Sequence, residues 1–140
     1  WGMTGADLEN EVQRLLFQSG HSAILCDESK KKKGRTLPAL DMQLDGVMMD
    51  IRSITSKKRH YGSALRDKNK QLARYNARSD VRIAADTVCL YFHDGSMYHP
   101  SKITNGVKWL KRQTRHLQVK HIVCVVRKED GSADIRRHDV

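Results

Sequence analysis

Two different periods of apolar and polar residues run along this chain. Apolar positions first recur at helical spacing, at Leu8, Val12, Leu15 and Leu16, until Gly20 offers a C-terminal stop. Thr4, with Asp7 three residues later, resembles a capping box at the start of this helix. Ser22–Cys26 then reads as a short first strand. In Leu40–Ser53 the period changes to two, and two alternating runs meet at Asp45-Gly46, the strongest short-range hairpin signal. A two-residue loop pairs Leu44 with Val47, Gln43 with Met48, Met42 with Met49 and Asp41 with Asp50. Leu40, Met42, Leu44, Val47, Met49 and Ile51 then form a buried face. The opposite face carries Asp41 across from Asp50, with Gln43, Met48 and Arg52 nearby.

The helical period returns over about residues 63–77, with apolar positions Leu65, Leu72 and Tyr75. Lys68 falls where the stripe requires a core residue. Thr87–Phe92 and His121–Val126 are continuous apolar runs of strand length, as in strands covered on both faces. Between them a helix begins at Ser101 or Asn105, with Ile103, Val107, Leu110 and Leu117 inward and Lys108, Lys111, Arg112 and Arg115 outward. Strand–helix–strand of this kind predicts a parallel crossover unit. Asp130-Gly131 turns the chain into a short edge strand, Ala133–Arg136. The pattern predicts one α/β domain over residues 1–140, a mixed central β-sheet flanked by helices. Trp1-Gly2-Met3 reads as the edge of a longer polypeptide.

Charge narrows the partner. With 26 Lys and Arg against 16 Asp and Glu, the net charge is +10, an electrostatic footprint for a polyanion, most commonly nucleic acid. No apolar run reaches the ~20 residues of a membrane span. Cys26, Cys89 and Cys124 have no metal-ligand spacing. Cys89 and Cys124 lie inside apolar runs, so they read as buried thiols of a chain working in a reducing compartment, with no disulfide partner.

Four residues suggest chemistry. Opposed cross-strand side chains have Cβ atoms roughly 4.5–5.5 Å apart, where like charges destabilise a sheet. Asp41 and Asp50 so placed either stand in solvent beside Arg52 or share a divalent cation. Glu9 and Glu11 flank the first helix's apolar stripe. Periodicity barely separates them, and both also read as solvated surface glutamates; Glu11 is taken ahead of Glu9. Lys68 either snorkels along its stem or meets an anion. Carboxylates that hold a cation, plus a lysine to offset developing charge, form a set suited to phosphodiester hydrolysis. Lys30, Lys31, Lys32 and Lys33, in a polar loop, read as solvated or as phosphate-gripping. With Arg52, Lys111, Arg112 and Arg115 they are the candidate nucleic-acid contacts.

The helix Glu11–His21 followed by Leu40–Asp50 resembles the PD-(D/E)XK nuclease pattern. More narrowly, it is similar to the C-terminal toxin domains of CdiA proteins in bacterial contact-dependent growth inhibition. The resemblance implies a restriction-endonuclease-like core and a metal-dependent ribonuclease that cleaves tRNA in a target bacterium's cytoplasm. Delivery would be as part of a larger secreted effector, with a cognate immunity protein as partner. It also implies Asp41, Asp50 and Glu11 as metal ligands for Mg²⁺ or Mn²⁺, with Zn²⁺ a further candidate, and Lys68 as the catalytic amine. The chain departs from the pattern twice: Pro38 stands three residues before Asp41, and Asp50-Ile51-Arg52 has arginine where the motif has lysine. Arginine does not give up its proton at working pH, so Arg52 suits phosphate binding.

Three other readings stand beside this one. A metal-independent ribonuclease would draw on Lys58, His60 and Tyr61, clustered in one loop, or on His93 and His99. A DNase would use the same fold and the same four residues. A non-catalytic nucleic-acid-binding domain has less behind it, because aromatic residues make up only 6% of the chain, few for base stacking.

Overall fold

The Asp45-Gly46 turn sets the first half of the sheet. In the computed structural model, which describes residues 5–21, 23–25, 40–55 and 60–140, Asp45 has φ 47° and Gly46 φ 87°. Positive φ at both positions is the type I′ geometry whose twist matches the flanking strands. It joins β2 (Met42–Leu44) to β3 (Val47–Ile54) in the expected register, Met42 opposite Met49 and Leu44 opposite Val47. A short β1 (Ala23–Leu25) pairs antiparallel with β2 on its other side.

From β3 onward the sheet turns parallel. β4 (Thr87–Phe92) lies parallel to β3, and β5 (His121–Arg127) parallel to β4. β6 (Ala133–Asp139) closes the edge antiparallel to β5. Among the described residues the sheet is thus six-stranded, mixed, and in sequence order. The two parallel connections are helices, α2 (Gly62–Asn76) and α3 (Pro100–Gln113). Both crossovers step the same way across the sheet, so the preferred right hand puts both helices on one face. There Leu65, Leu72, Ile103 and Leu110 pack with Val88, Leu90, Phe92, Ile122 and Cys124. The other face is covered by α1 (Gly5–Gln18), whose Val12, Leu15 and Leu16 pack on Met42, Met49, Ile51, Cys89 and Tyr91. Every residue of β4 is buried, as a strand between two layers requires. Cys89 and Cys124 are buried free thiols in opposite layers. No helix of the described residues is long and apolar enough to cross a membrane.

Gly20 ends α1 as expected. Its φ of 86°, with the His21 amide donating to Leu16 O at 2.9 Å and the Gly20 amide to Phe17 O at 3.0 Å, makes a Schellman motif. Four expectations change. Leu40 belongs to the α2–α3 layer while Met42 belongs to the α1 layer, although a regular strand would put them on one face. The chain bends at Asp41, one residue before β2 begins. Val47, next to the turn, is 44% exposed rather than buried. α3 starts at Pro100, whose fixed φ suits a first helical position, and ends before Leu117, which packs from the following loop. β6 runs to Asp139 rather than Arg136, because pairing with β5 holds it without an apolar alternation of its own.

Candidate active site

The bend at Asp41 and the middle of β3 bring two carboxyl groups together. Asp50 is 0% exposed, a charged residue in the core layer. The Asp41 amide donates to Asp50 Oδ1 at 3.2 Å, and the Ile51 amide donates to Asp41 Oδ2 at 2.9 Å. Each aspartate is thereby tied to the other strand's segment, which holds the two side chains face to face despite their repulsion. Lys68, on the inner side of α2 and 11% exposed, donates from Nζ to Asp50 Oδ2 at 2.7 Å and to Gln71 Oε1 at 3.3 Å. Its break in the apolar stripe therefore reflects a buried partner, not a snorkelling stem.

The electrostatics of the two aspartates diverge. Burial, then the hydrogen bond and charge of Asp41, push the Asp50 carboxyl up to about 7, against the pull of Lys68. Burial acts on Asp41 in the same sense. The Asp50 hydrogen bond, the Ile51 amide, Lys68 and a hydrogen bond to Glu9 outweigh it and hold Asp41 below the usual carboxylate range. Of the pair, Asp41 is the more acidic and Asp50 the more readily protonated. Environments that separate two neighbouring carboxyl groups in this way are typical of acid–base sites.

Glu9, not Glu11, is the α1 glutamate at this pair. Glu11 points to the other flank of the helix, where its Oε1 accepts from Arg14 at 2.7 Å and lies 3.9 Å from Arg127 Nε. Arg127 Nη1 in turn sits 3.4 Å from the His93 ring nitrogens, and Tyr91 Oη 3.4 Å from His93 Nδ1. Burial and the charge of Glu11 push the Tyr91 phenol up to about 12. The structure thus brings Asp41, Asp50 and Lys68 together and leaves Glu11 out. Arg52 is exposed, two residues beyond Asp50 on its strand, and borders a cavity of ≈ 80 Å³ with Ser53, Ile54, Thr55, Tyr61, Ser63 and Ala64. Lys111, Arg112 and Arg115 are exposed on α3 and just past its end. Lys30, Lys31, Lys32 and Lys33 lie outside the described residues, as do Pro38, Cys26 and Lys58.

Two residues that the pattern did not single out fix α2, and with it Lys68. Asn69, 5% exposed, accepts from the amides of Gln118 at 2.6 Å and Val119 at 3.1 Å and donates to His116 O at 3.2 Å. Asn76 brackets Ala85, donating to its carbonyl at 2.9 Å and accepting from its amide at 2.7 Å. A buried asparagine in an apolar helix face was the available signal, since such a group must find partners. Of the loop set, whose Lys58 lies outside the described residues, His60 and Tyr61 turn to different neighbours. Tyr61 is buried with its hydroxyl donated to Met97 O, while His60 packs on Trp109 and His93 on Arg127.

A cation at the aspartates would find oxygen donors only, the preference of hard divalent ions. Asp41, Asp50 and Glu9 fit that chemistry, and a positive charge would relieve the repulsion that raises Asp50. No group of three His, Cys, Asp or Glu side chains among the described residues already stands at ligating geometry. A cavity of ≈ 690 Å³ lies elsewhere, beside Tyr98, Arg127 and Arg136. No family model, curated protein or solved structure matches the chain.

Proposed function

We propose that the protein is a nuclease with its centre at Asp41, Asp50 and Lys68, and that Glu9 takes the α1 position first assigned to Glu11. The single observation that carries this reading is Lys68 Nζ at 2.7 Å from a fully buried Asp50 that faces a second aspartate. A purely structural ion pair has no use for the second carboxylate, whose charge works against it. The helix, three strands, helix and strand around the pair support a restriction-endonuclease-like core of the PD-(D/E)XK kind.

In this reading Asp41 and Asp50 with Glu9 would hold a divalent ion, Mg²⁺ or Mn²⁺ by preference, which when bound would supply positive charge for the scissile phosphate and acidify an attacking water. Lys68 places a fixed ammonium where negative charge develops, in a site with little water to screen it. Asp41 stays ionised. Asp50, buried against Lys68, would give up its proton on taking a cation and serve as a ligand. Arg52 meets a neighbouring phosphate at the open end of β3.

We take RNA, and tRNA in particular, as the substrate, with action in a target bacterium's cytoplasm and a cognate immunity protein as partner, on the strength of the resemblance to CdiA toxin domains. The test is incubation with total tRNA and with plasmid, in Mg²⁺, Mn²⁺, Zn²⁺ and EDTA. Cleavage of tRNA that needs a metal and is lost in Asp50→Ala is expected. Full activity in Asp50→Ala overturns the site, plasmid cleavage alone moves the substrate to DNA, and cleavage in EDTA revives a metal-free mechanism.

A further inference from the structure

α2 and α3 cross where neither has room for a side chain. A Cβ on Gly106 would lie 2.9 Å from the Gly62 nitrogen, and one on Gly62 would collide with Trp109 Cε3. The crossing presses one part of the indole against the start of α2 and leaves Trp109 half-buried. His60 is held beside it: its Nδ1 accepts the Gly62 amide at 3.0 Å, and its ring centroid is 5.5 Å from that of Trp109, at 39°. Arg66 approaches the indole with Cζ 5.4 Å from the centroid. Asn105, Lys108, Trp109 and Arg112 fall at helical spacing on one face of α3 and, with His60, line an open groove of ≈ 540 Å³.

Among the described residues no carboxylate lines this groove, and no ion pair holds Lys108 or Arg112. The buried ring pair of Tyr61 and Phe92 belongs to the apolar core, with one cation, Lys102 Nζ, 5.9 Å from the Tyr61 centroid. Here two rings with restrained orientation sit beside Lys108 and Arg112, which have no ion-pair partner among the described residues, and beside Arg66, which lies 4.0 Å from Asp67. Flat π-faces flanked by unpaired positive charge complement a base with its phosphates, the composition of single-strand binding platforms.

We infer that this groove binds an unpaired nucleotide of a single-stranded nucleic acid, its base stacked on Trp109 and His60 and its flanking phosphates on Lys108 and Arg112. The inference deepens the nuclease reading, since it places a substrate subsite on α3 and at His60, just before α2, the helix that carries Lys68. Lys68 stands six positions after Gly62, about 9 Å of helix, and Arg52 and Ser63 border the cavity at the α2 N-terminus. A strand bound at the groove would extend toward the aspartates. A substrate presenting a loop or other unpaired segment would then be preferred over a continuous duplex.

The test is fluorescence anisotropy of a labelled single-stranded oligonucleotide, as RNA and as DNA, against a duplex of the same sequence, over a range of salt. Single strands should bind more tightly than duplex. Trp109→Leu should weaken single-strand binding about tenfold at an unchanged salt slope, and Trp109→Phe should restore most of the loss. Lys108→Gln with Arg112→Gln should reduce the salt slope by about 1.4, at ~0.7 per phosphate contact. Both glutamines lie on the exposed side of α3, so this variant decides the matter if Trp109→Leu does not fold. The inference is overturned if folded Trp109→Leu binds single strands like the wild type, or if the slope is unchanged in the double variant. Equal binding of duplex and single strand, independent of Trp109, also overturns it by reducing the groove to a general polyanion surface. The readout is binding, so it stands apart from cleavage: loss of activity in Asp50→Ala with intact binding, or the reverse, tells the two readings apart.

Discussion

The two flanks of α1 carry a glutamate each and use it in opposite ways. On one flank Glu11 meets Arg14 at 2.7 Å and approaches Arg127, so one carboxylate is matched by two guanidinium groups. On the other flank Glu9 meets Asp41, which meets Asp50, and among the described residues Lys68 pairs with Asp50 at 2.7 Å. The first flank fastens a helix to a sheet. The second gathers two half-buried carboxyl groups around the buried Asp50, at a cost in stability that a fold does not need. Charge balance, more than burial, separates a structural network from a site built to meet a further cation or a substrate.

Substitutions can set the two flanks against each other. The largest effect is expected from Asp50→Asn, which should lower nuclease activity about a thousandfold in a metal-supplemented tRNA assay while the protein stays folded. A variant with activity intact would place Asp50 with the structural network instead. Next, Glu9→Gln should cost tens of fold in activity and raise the metal concentration needed for half-maximal rate, with little change in melting temperature. Glu11→Gln should do the reverse, leaving activity near wild type and lowering stability by about 1 kcal/mol. An exchange of those two outcomes would return Glu11 to the site.

The third contrast is with pH. Asp50 has its folded pKa raised to about 7 from 3.8, so the native state holds its proton more tightly than the unfolded chain. Its contribution to stability is complete below pH 4 and is lost as pH rises toward and through 7. Asp41 is shifted downward, so its contribution has the opposite sign and is lost only in acid. Urea unfolding of wild type and Asp50→Asn from pH 4 to 8 should therefore show the variant gaining relative stability as pH rises. Parallel curves would mean that Asp50 is not perturbed. The smallest effect is expected at the hairpin: Gly46→Ala, at φ 87°, should destabilise by about 1 kcal/mol and reduce activity only modestly.

Much of the framework was legible in residue order. Asp45-Gly46 named a turn and so a register, the two apolar runs named β4 and β5, and Lys68 was marked by interrupting a stripe. The choice between Glu9 and Glu11 was not legible. Two positions apart on a helix means roughly 200° around its axis, so both can border the same buried stripe while facing different neighbours. Trp109 and His60 likewise belong to segments far apart in the chain, and only the close crossing at Gly62 and Gly106 makes them a pair.

By itself, then, the sequence determined what local rules control: the type I′ hairpin that sets Asp41 opposite Asp50, the Gly20 stop, the buried parallel strands and the lysine out of pattern on α2. These follow from backbone dihedrals and side-chain period within a few residues. The tertiary structure alone decided which glutamate joins the aspartates, that Leu40 leaves the layer of Met42, that Asn69 and Asn76 moor α2, and how far β6 pairs. Those outcomes depend on which face of one element meets which edge of another. Period along a single element carries no record of that, because it specifies a face but not its neighbour.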